Sequence, residues 1–322
     1  MPAAAPRSAI DVHFHMLPAF YTDAARAAGK LPTISGGFPQ WTPDLALELM
    51  DRQGIATAIT SISQPGVHFG DDRAAHRLAR QCNEFAASLV RDMPHRFGAF
   101  ATLPLPDVEA ARAEAAHALD TLGADGVCLL ASYGERFLGD PWFDPLFDEL
   151  NAREAVVFLH PNFHPSSRGL KLVAPAFMVE FLFDTTRAVV NMLVSGTFER
   201  YPRIRFVLAH AGATLPYVAW RLSVAPMIDE RVAHLSQEGV FATLRRFWYD
   251  TAQSAGPQTM GSLLQVADPA RIVFGGDWPY CPESVVAETS KALDASTLLD
   301  EAQRTAIMRA NALALFPRLA EV

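Results

Sequence analysis

The chain has 322 residues, 50% apolar and 19% charged, a composition that provides a sizeable core and excludes a disordered protein. Its 27 basic and 35 acidic residues give a net charge of −8, unfavourable for binding nucleic acid or an anionic membrane. Three dispersed cysteines give no disulfide framework and favour a reducing, cytoplasmic location. We expect no membrane span, because no apolar run reaches about 18 residues, and no signal peptide, because residues 1–8 lack an apolar segment.

The first predicted strand, residues 10–15, carries a pair of histidines. Apolar and polar residues alternate through it, so His13 and His15 are expected on one face, with Cα atoms about 7 Å apart. Two imidazoles at this spacing can bind one ion. Either histidine alone is equally typical of a hydrogen-bonded structural residue, so the pair gains meaning only from the later strands.

Seven further strand-and-helix units follow in chain order, with no break in composition. Their predicted strands cover residues 55–62, 97–103, 126–130, 155–160, 204–210, 247–251 and 271–277. Thr42 and Pro43 mark a helix start and Gly54 its end, whereas the segment 16–40 is predicted to be a loop. Eight such units predict a parallel sheet and, at this length, a single (β/α)₈ TIM barrel over residues 1–322. No GxGxxG motif follows the first strand, which disfavours a dinucleotide-binding sheet.

Potential metal ligands stand where the predicted strands end. They are His13 and His15 on strand one, His160 on strand five, His210 on strand six and Asp277 on strand eight. Catalytic groups of a barrel gather at this edge. A lone buried histidine is usually structural, but the joint pattern predicts a site for Zn²⁺, Mn²⁺ or Fe²⁺.

These residues and their neighbours resemble the amidohydrolase superfamily. The sequence segments around the four strand ends resemble those of its aminocarboxymuconate-semialdehyde decarboxylase branch. These segments are residues 10–18, 160–161, 210–216 and 275–279. Other stretches are most similar to the 6-methylsalicylate decarboxylase-like members of that branch: residues 41–43, 97–106 and 183–191. The resemblance extends over nearly the whole chain.

The resemblance implies roles for the strand-end residues. His13, His15, His160 and Asp277 would hold one divalent ion, with Zn²⁺ favoured and Mn²⁺ the alternative. His210 would lie beside the open coordination position, and either His210 or Asp277 would deliver a proton. One ion per chain is expected because strand four has no Lys or Glu, the residues that bridge two ions in hydrolytic members.

The substrate contacts are predicted less directly. In resembling enzymes an Arg at the position of Arg221, eleven residues after His210, binds substrate carboxylate in a neighbouring subunit. This implies a homodimer or higher homo-oligomer, although a surface Arg fits equally well. No Arg lies between Arg26 and Trp41, which suits a monocarboxylate. Trp41, Phe163 and Trp278, with Phe14 and Phe38, are candidates for an aromatic pocket or for core packing.

The predicted function is non-oxidative, metal-dependent decarboxylation of a small aromatic acid with an ortho hydroxyl. A metal-dependent hydrolase, a lactonase or an amidase, is the alternative on the same scaffold, and the predicted ligands do not discriminate between them. A barrel that binds a ligand without turnover would leave His210 unexplained. Release of CO₂ without uptake of water would favour decarboxylation.

Overall fold

The computed structural model describes residues 9–32, 37–170 and 173–320. Within them, eight parallel strands form one sheet in which neighbouring strands follow each other along the chain. These strands are β1 (Ala9–His15), β2 (Ile55–Ser61), β3 (Phe97–Thr102), β4 (Gly126–Leu130), β7 (Val156–His160), β8 (Arg205–Leu208), β9 (Trp248–Asp250) and β10 (Ile272–Val273). A short antiparallel hairpin, β5 (Ser132–Tyr133) and β6 (Arg136–Phe137), follows β4.

Backbone hydrogen bonds join the segment after β10 to β1 and bring the sheet round into a barrel. Val12 N donates to Phe274 O over 3.0 Å, and His15 N donates to Trp278 O over 2.7 Å. Asp277 N in turn donates to His13 O over 2.6 Å. The predicted TIM barrel is therefore confirmed, and its closure places Asp277 directly beside the two histidines of β1.

Helices connect the strands on the outside of the barrel. In the described ranges they are α1 (Ala19–Ala27), α2 (Pro43–Gln53), α3 (Asp72–Asp92), α4 (Val108–Asp120), α5 (Asp144–Ala152), α6 (Glu180–Val194), α7 (Thr197–Arg200), α8 (Leu215–Val224), α9 (Gln237–Arg246), α10 (Pro257–Leu263), α11 (Glu283–Asp294), α12 (Glu301–Thr305) and α13 (Asn311–Leu315). The predicted cap is confirmed, because Thr42 Oγ1 accepts from Leu45 N and Gly54 is left-handed. The loop predicted at 16–40 is wrong in part: α1 forms there without a side-chain cap, by burying Tyr21 and Ala25.

Two apolar cores hold the barrel together. An inner core of strand residues, including Val12, Phe100 and Phe158, is closed by Leu315 and Phe316 from the end of the chain. A larger outer core lies between the strands and the helices. Where the structure describes the chain, no helix combines the length and the apolar character needed to cross a membrane.

Candidate metal centre and active site

A bulge in β1 aims the two histidines into the barrel. Asp11 pairs with Ala58 and Phe14 with Thr60, so one extra residue of β1 lies between these pairs. As a result Phe14 packs in the outer core, while His13 contacts Phe158 of the inner core. Asp11 Oδ1 fixes the bulge by accepting from the backbone N of His13 and of Gly276, each over 3.0 Å.

Four buried side chains meet at the carboxyl-terminal end of the barrel. His13, His15, His160 and Asp277 each offer one ligand atom, and these atoms lie within 4.8 Å of one another. Nε2 of His13 and Nε2 of His15 are 3.1 Å apart, and Oδ1 of Asp277 is 3.2 and 3.0 Å from them. Ligand atoms that are each about 2.0–2.2 Å from one ion lie roughly 3 to 3.5 Å apart, so the spacing fits.

The outer nitrogens of the three histidines have their own partners. Nδ1 of His13 donates to Asp250 Oδ2 over 2.6 Å, and Nδ1 of His160 donates to Pro161 O over 2.8 Å. Nδ1 of His15 lies 2.9 Å from Ser61 Oγ. These contacts point the Nε2 atoms of the three histidines at the centre, where a bound cation would balance the repulsion of their lone pairs. The donor set therefore fits a divalent metal ion.

The electrostatics of the cluster also favour a positive charge at its centre. Burial alone would lower the pKa of His13, but the carboxylates of Asp250 and Asp277 raise it to about 10. Burial lowers the pKa of His15 and holds that of His160 well below its usual range. Burial opposes ionisation of Asp277, yet the charge of His13 keeps its pKa well below the usual value.

Two glycines allow Asp277 to approach the strand-one residues. A Cβ at Gly275 would lie 2.8 Å from the Cβ of His13, and one at Gly276 would lie 2.6 Å from Asp11 Oδ2. Any side chain at these positions would push the segment after β10 away from β1. The Gly275-Gly276 pair is therefore a packing requirement of this four-residue cluster.

His210 lies beside the cluster on a strained turn. His210, Ala211, Gly212 and Ala213 all have φ between 56° and 72°, and for non-glycine residues this conformation costs of order 1–3 kcal/mol each. The backbone N of His210 donates to Asp250 Oδ1 over 2.8 Å, which anchors the turn. The Nε2 of His210 is 3.5 Å from Asp277 Oδ2, and its buried Nδ1 has no hydrogen-bond partner among the described residues.

A cavity of about 520 Å³ opens above the cluster, within the usual size range for a small-molecule site. His160, His210 and Asp277 line its floor. Its apolar walls are formed by Pro32, Phe177, Met178, Phe181, Leu182 and Val285, and its polar groups come from Ser63, Gln64, Gln253, Ser254, Thr259 and Tyr280. Of the described residues that line the cavity, none is Lys or Arg.

The four residues predicted to contact the substrate lie outside the described lining of the cavity. Trp41 packs against Phe85, and Trp278 packs against Phe14, which the bulge turns outward. Neither they nor Phe163 belong to the described lining of the cavity, whose aromatic residues are Phe177, Phe181 and Tyr280. Arg221 is exposed in the last turn of α8. Substrate contacts by Trp41, Phe163, Trp278 and Arg221 stay predictions.

Two residues that contact the cluster, Asp250 and Gln253, are not among those predicted from the sequence. Asp250 ends β9 as a buried carboxylate and joins His13 to the His210 turn. Its position at a strand end was the available signal. Gln253 follows three residues later and donates from Nε2 to Asp277 Oδ2 over 2.8 Å. No sequence pattern marks it.

Comparison with known proteins decides the family. Residues 10–318 match the family described as amidohydrolase. The chain belongs to this family. It is 38% identical to the 6-methylsalicylic acid decarboxylase of Aspergillus aculeatus, over 96% of each chain.

Solved structures of this amidohydrolase's relatives have the same fold. A crystal structure named as an amidohydrolase superposes with a TM-score of 0.89 at 32% identity, covering 96% of this chain and all of the other. The dihydroxybenzoic acid decarboxylase of Polaromonas sp., solved with manganese and the inhibitor 2-nitroresorcinol, gives 0.79 at 27% identity, covering 97% of each.

Proposed function

We propose that this amidohydrolase is a metal-dependent, non-oxidative decarboxylase of a small aromatic acid with an ortho hydroxyl. The buried cluster of three histidines and Asp277 under a mainly apolar cavity carries the proposal. The relatives confirm the sequence-based prediction of a metal-dependent aromatic-acid decarboxylase. The described cavity lining has no cationic side chain, so the charge of a substrate carboxylate would be balanced at the metal centre.

The identity and number of the ions belong to the proposal. The sequence favoured Zn²⁺ over Mn²⁺, whereas manganese is present in the Polaromonas relative, so both ions are candidates here. We expect one ion per chain, because β4 offers only Cys128, whose buried thiol has its pKa raised to about 12 by burial. Elemental analysis that returned two equivalents, both needed for activity, would contradict this.

The residues at the cavity floor are placed to move a proton. A bound ion would supply the positive charge that holds the carboxylate and the ortho oxygen of the substrate. Asp277 Oδ2 and His210 Nε2 lie 3.5 Å apart, and a proton taken up by either group can be delivered to the ring carbon that carries the carboxylate. The C–C bond then breaks, its electron pair restores the aromatic ring, and CO₂ leaves. The histidines and Asp250 keep this geometry fixed.

The cavity walls fit an aromatic ring. Phe177, Phe181 and Leu182 enclose the space above His160 and His210 and would exclude water from the reacting carbon. The hydroxyls of Ser63, Thr259 and Tyr280 also lie in the lining. We therefore propose a substrate with one carboxylate, an adjacent hydroxyl and an otherwise largely apolar ring.

We also propose that two chains pair through the exposed face of α8 and that Arg221 reaches the partner's cavity. Tyr217, Trp220 and Arg221 share this face by their helical spacing, and the two aromatics are 87% and 65% exposed. Met227 and Ile228, which follow α8 in the chain, are both about 80% exposed. Exposed large apolar side chains that share one helix face are typical of a protein interface, and Arg221 would bring the cation that the described cavity lining lacks.

Assays of CO₂ release test the proposed function. Protein loaded with Mn²⁺ or Zn²⁺ is incubated with salicylate, 6-methylsalicylate and 2,6-dihydroxybenzoate, and in parallel with aryl lactones and amides. We expect CO₂ and the corresponding phenol from at least one acid, and loss of both after chelation of the metal. Hydrolysis of a lactone or amide without CO₂ from any acid would favour the hydrolase instead.

A further inference from the structure

Gln253 projects from the cavity wall to the Asp277 carboxylate. Its Nε2 lies 2.8 Å from Asp277 Oδ2, and because a carboxylate only accepts, the amide must present its NH₂ group there. The side chain is solvent-exposed within the lining of the cavity rather than packed in the core. Gln253 therefore touches the candidate centre without contributing to the hydrophobic packing of the barrel.

The two oxygens of Asp277 have different surroundings. Oδ1 lies among the ligand atoms, 3.0 Å from Nε2 of His15 and 3.2 Å from Nε2 of His13. Oδ2 has its shortest described contact with Gln253, whereas His210 Nε2 and Cys281 Sγ are each 3.5 Å away. The amide of Gln253 thus makes the shortest described contact of Oδ2 and restrains the rotation of this carboxylate at the oxygen that does not lie among the ligand atoms.

The backbone of Gln253 is strained. Its φ is 53°, in the left-handed region where a non-glycine residue costs of order 1–3 kcal/mol. The turn itself is closed by a backbone bond from Ser254 N to Thr251 O, which a glycine or asparagine at 253 would also allow. The turn does not require the length of a glutamine side chain, whereas contact with Asp277 does.

We propose that Gln253 is a positioning residue of this enzyme. Its amide holds Oδ2 of Asp277 toward His210 and leaves Oδ1 for the metal ion. The part that concerns metal binding depends only on the His and Asp cluster. The part that concerns turnover rests on the proposed function.

Two substitutions separate the effect of the side-chain contact with Asp277 from the effect of the left-handed backbone at residue 253. Gln253→Met keeps the length of the side chain and removes the donor. Gln253→Asn suits the left-handed backbone but is one methylene too short to reach Asp277. The exposed Gln258, which is absent from the cavity lining, receives the same two substitutions as the matched control.

The first readout is Mn²⁺ affinity, measured by competition with a fluorescent chelator. Both Gln253 variants should bind Mn²⁺ about 10- to 100-fold more weakly, as is usual when a residue that orients a ligand is lost. The Gln258 variants should bind like wild type. The thermal midpoint of metal-free Gln253→Asn should not fall, because asparagine accepts the backbone conformation, and this separates positioning from folding.

The second readout is turnover at saturating Mn²⁺, with whichever aromatic acid the wild type decarboxylates. In both Gln253 variants kcat should fall at least about tenfold while KM changes little, which marks a loss of transition-state stabilisation. A Gln253→Met protein with wild-type Mn²⁺ affinity, or with wild-type kcat, would overturn the proposal. If the wild type decarboxylates none of the acids, the proposed function fails, and the Mn²⁺ affinities still decide the role of Gln253.

Discussion

Asp250 Oδ2 lies 2.6 Å from Nδ1 of His13, and its other oxygen accepts the backbone N–H of His210 over 2.8 Å. One buried carboxylate thus orients a candidate metal ligand and anchors the turn that carries the candidate proton donor. The candidate metal centre and the candidate proton donor share this support.

Asp250→Asn tests this link. The amide keeps the size of the side chain but places an NH₂ group against either the His13 N–H or the backbone donors. We expect metal affinity and kcat to fall by about 10- to 100-fold each. Chelator competition and steady-state kinetics measure the two effects, with the exposed Asp148→Asn as the control. Unchanged metal affinity in Asp250→Asn would show that His13 does not depend on this carboxylate.

His210→Ala separates proton transfer from metal binding. The Nε2 of His210 lies outside the four-ligand cluster, so the variant should keep its metal. It should lose at least about 10²-fold in kcat, the usual scale for an acid or base. Metal content is measured by elemental analysis beside the rate, with the exposed His234→Ala as control. Loss of the metal together with the activity would make His210 a ligand.

Mixed dimers test the proposed role of Arg221. His210→Ala chains and Arg221→Ala chains should each have little activity. If Arg221 enters the partner's cavity, a hybrid dimer contains one site with both residues intact, and mixing should restore part of the activity. Each variant mixed with itself is the control. If chain exchange is demonstrated and no activity returns, Arg221 acts only within its own chain or only in packing.

Asp184 should make stability depend on pH. This carboxylate is buried and accepts from Ser132 Oγ and Asn162 N, and burial raises its pKa to about 6 from 3.8. The folded state then binds this proton more tightly than the unfolded state does. Proton binding at Asp184 therefore stabilises the fold fully below about pH 4, and this contribution is lost as the pH rises through 6.

Urea unfolding of wild type and Asp184→Asn, both metal-free, measures this effect. Between pH 4 and 7 the free energy of unfolding of the wild type should fall relative to the variant. The change should be on the order of 3 kcal/mol, from about 1.4 kcal/mol for each unit of pKa. A constant difference between the two proteins would contradict the assignment.

The barrel could be predicted because the sequence patterns that specify it are local and recur along the chain. Eight apolar strands alternate with helices, and caps such as Thr42 and Gly54 mark the helix ends. The strand-end histidines and Asp277 were visible because parallel strands bring their carboxyl ends to one edge. The helix α1 was missed because it has no side-chain cap and is stabilised by tertiary burial.

The details of the site depend on contacts that the sequence does not show. A two-residue alternation predicts Phe14 on the same face as Ile10 and Val12, whereas the bulge turns Phe14, and with it Trp278, toward the outer core. The role of Asp250 depends on its meeting His13 across 237 residues. Gln253 reaches Asp277 through a left-handed turn that no propensity rule predicts for glutamine.

The most direct test of the proposed decarboxylation follows the proton to the ring carbon. The Mn²⁺-loaded protein is incubated in D₂O with the aromatic acid that it turns over, and the phenol is examined by NMR. We predict one CO₂ for each phenol formed, with one deuterium at the carbon that carried the carboxylate and no reaction after chelation. Failure to release CO₂ from any ortho-hydroxy aromatic acid, with the metal bound at the His13, His15, His160 and Asp277 cluster, would contradict the account.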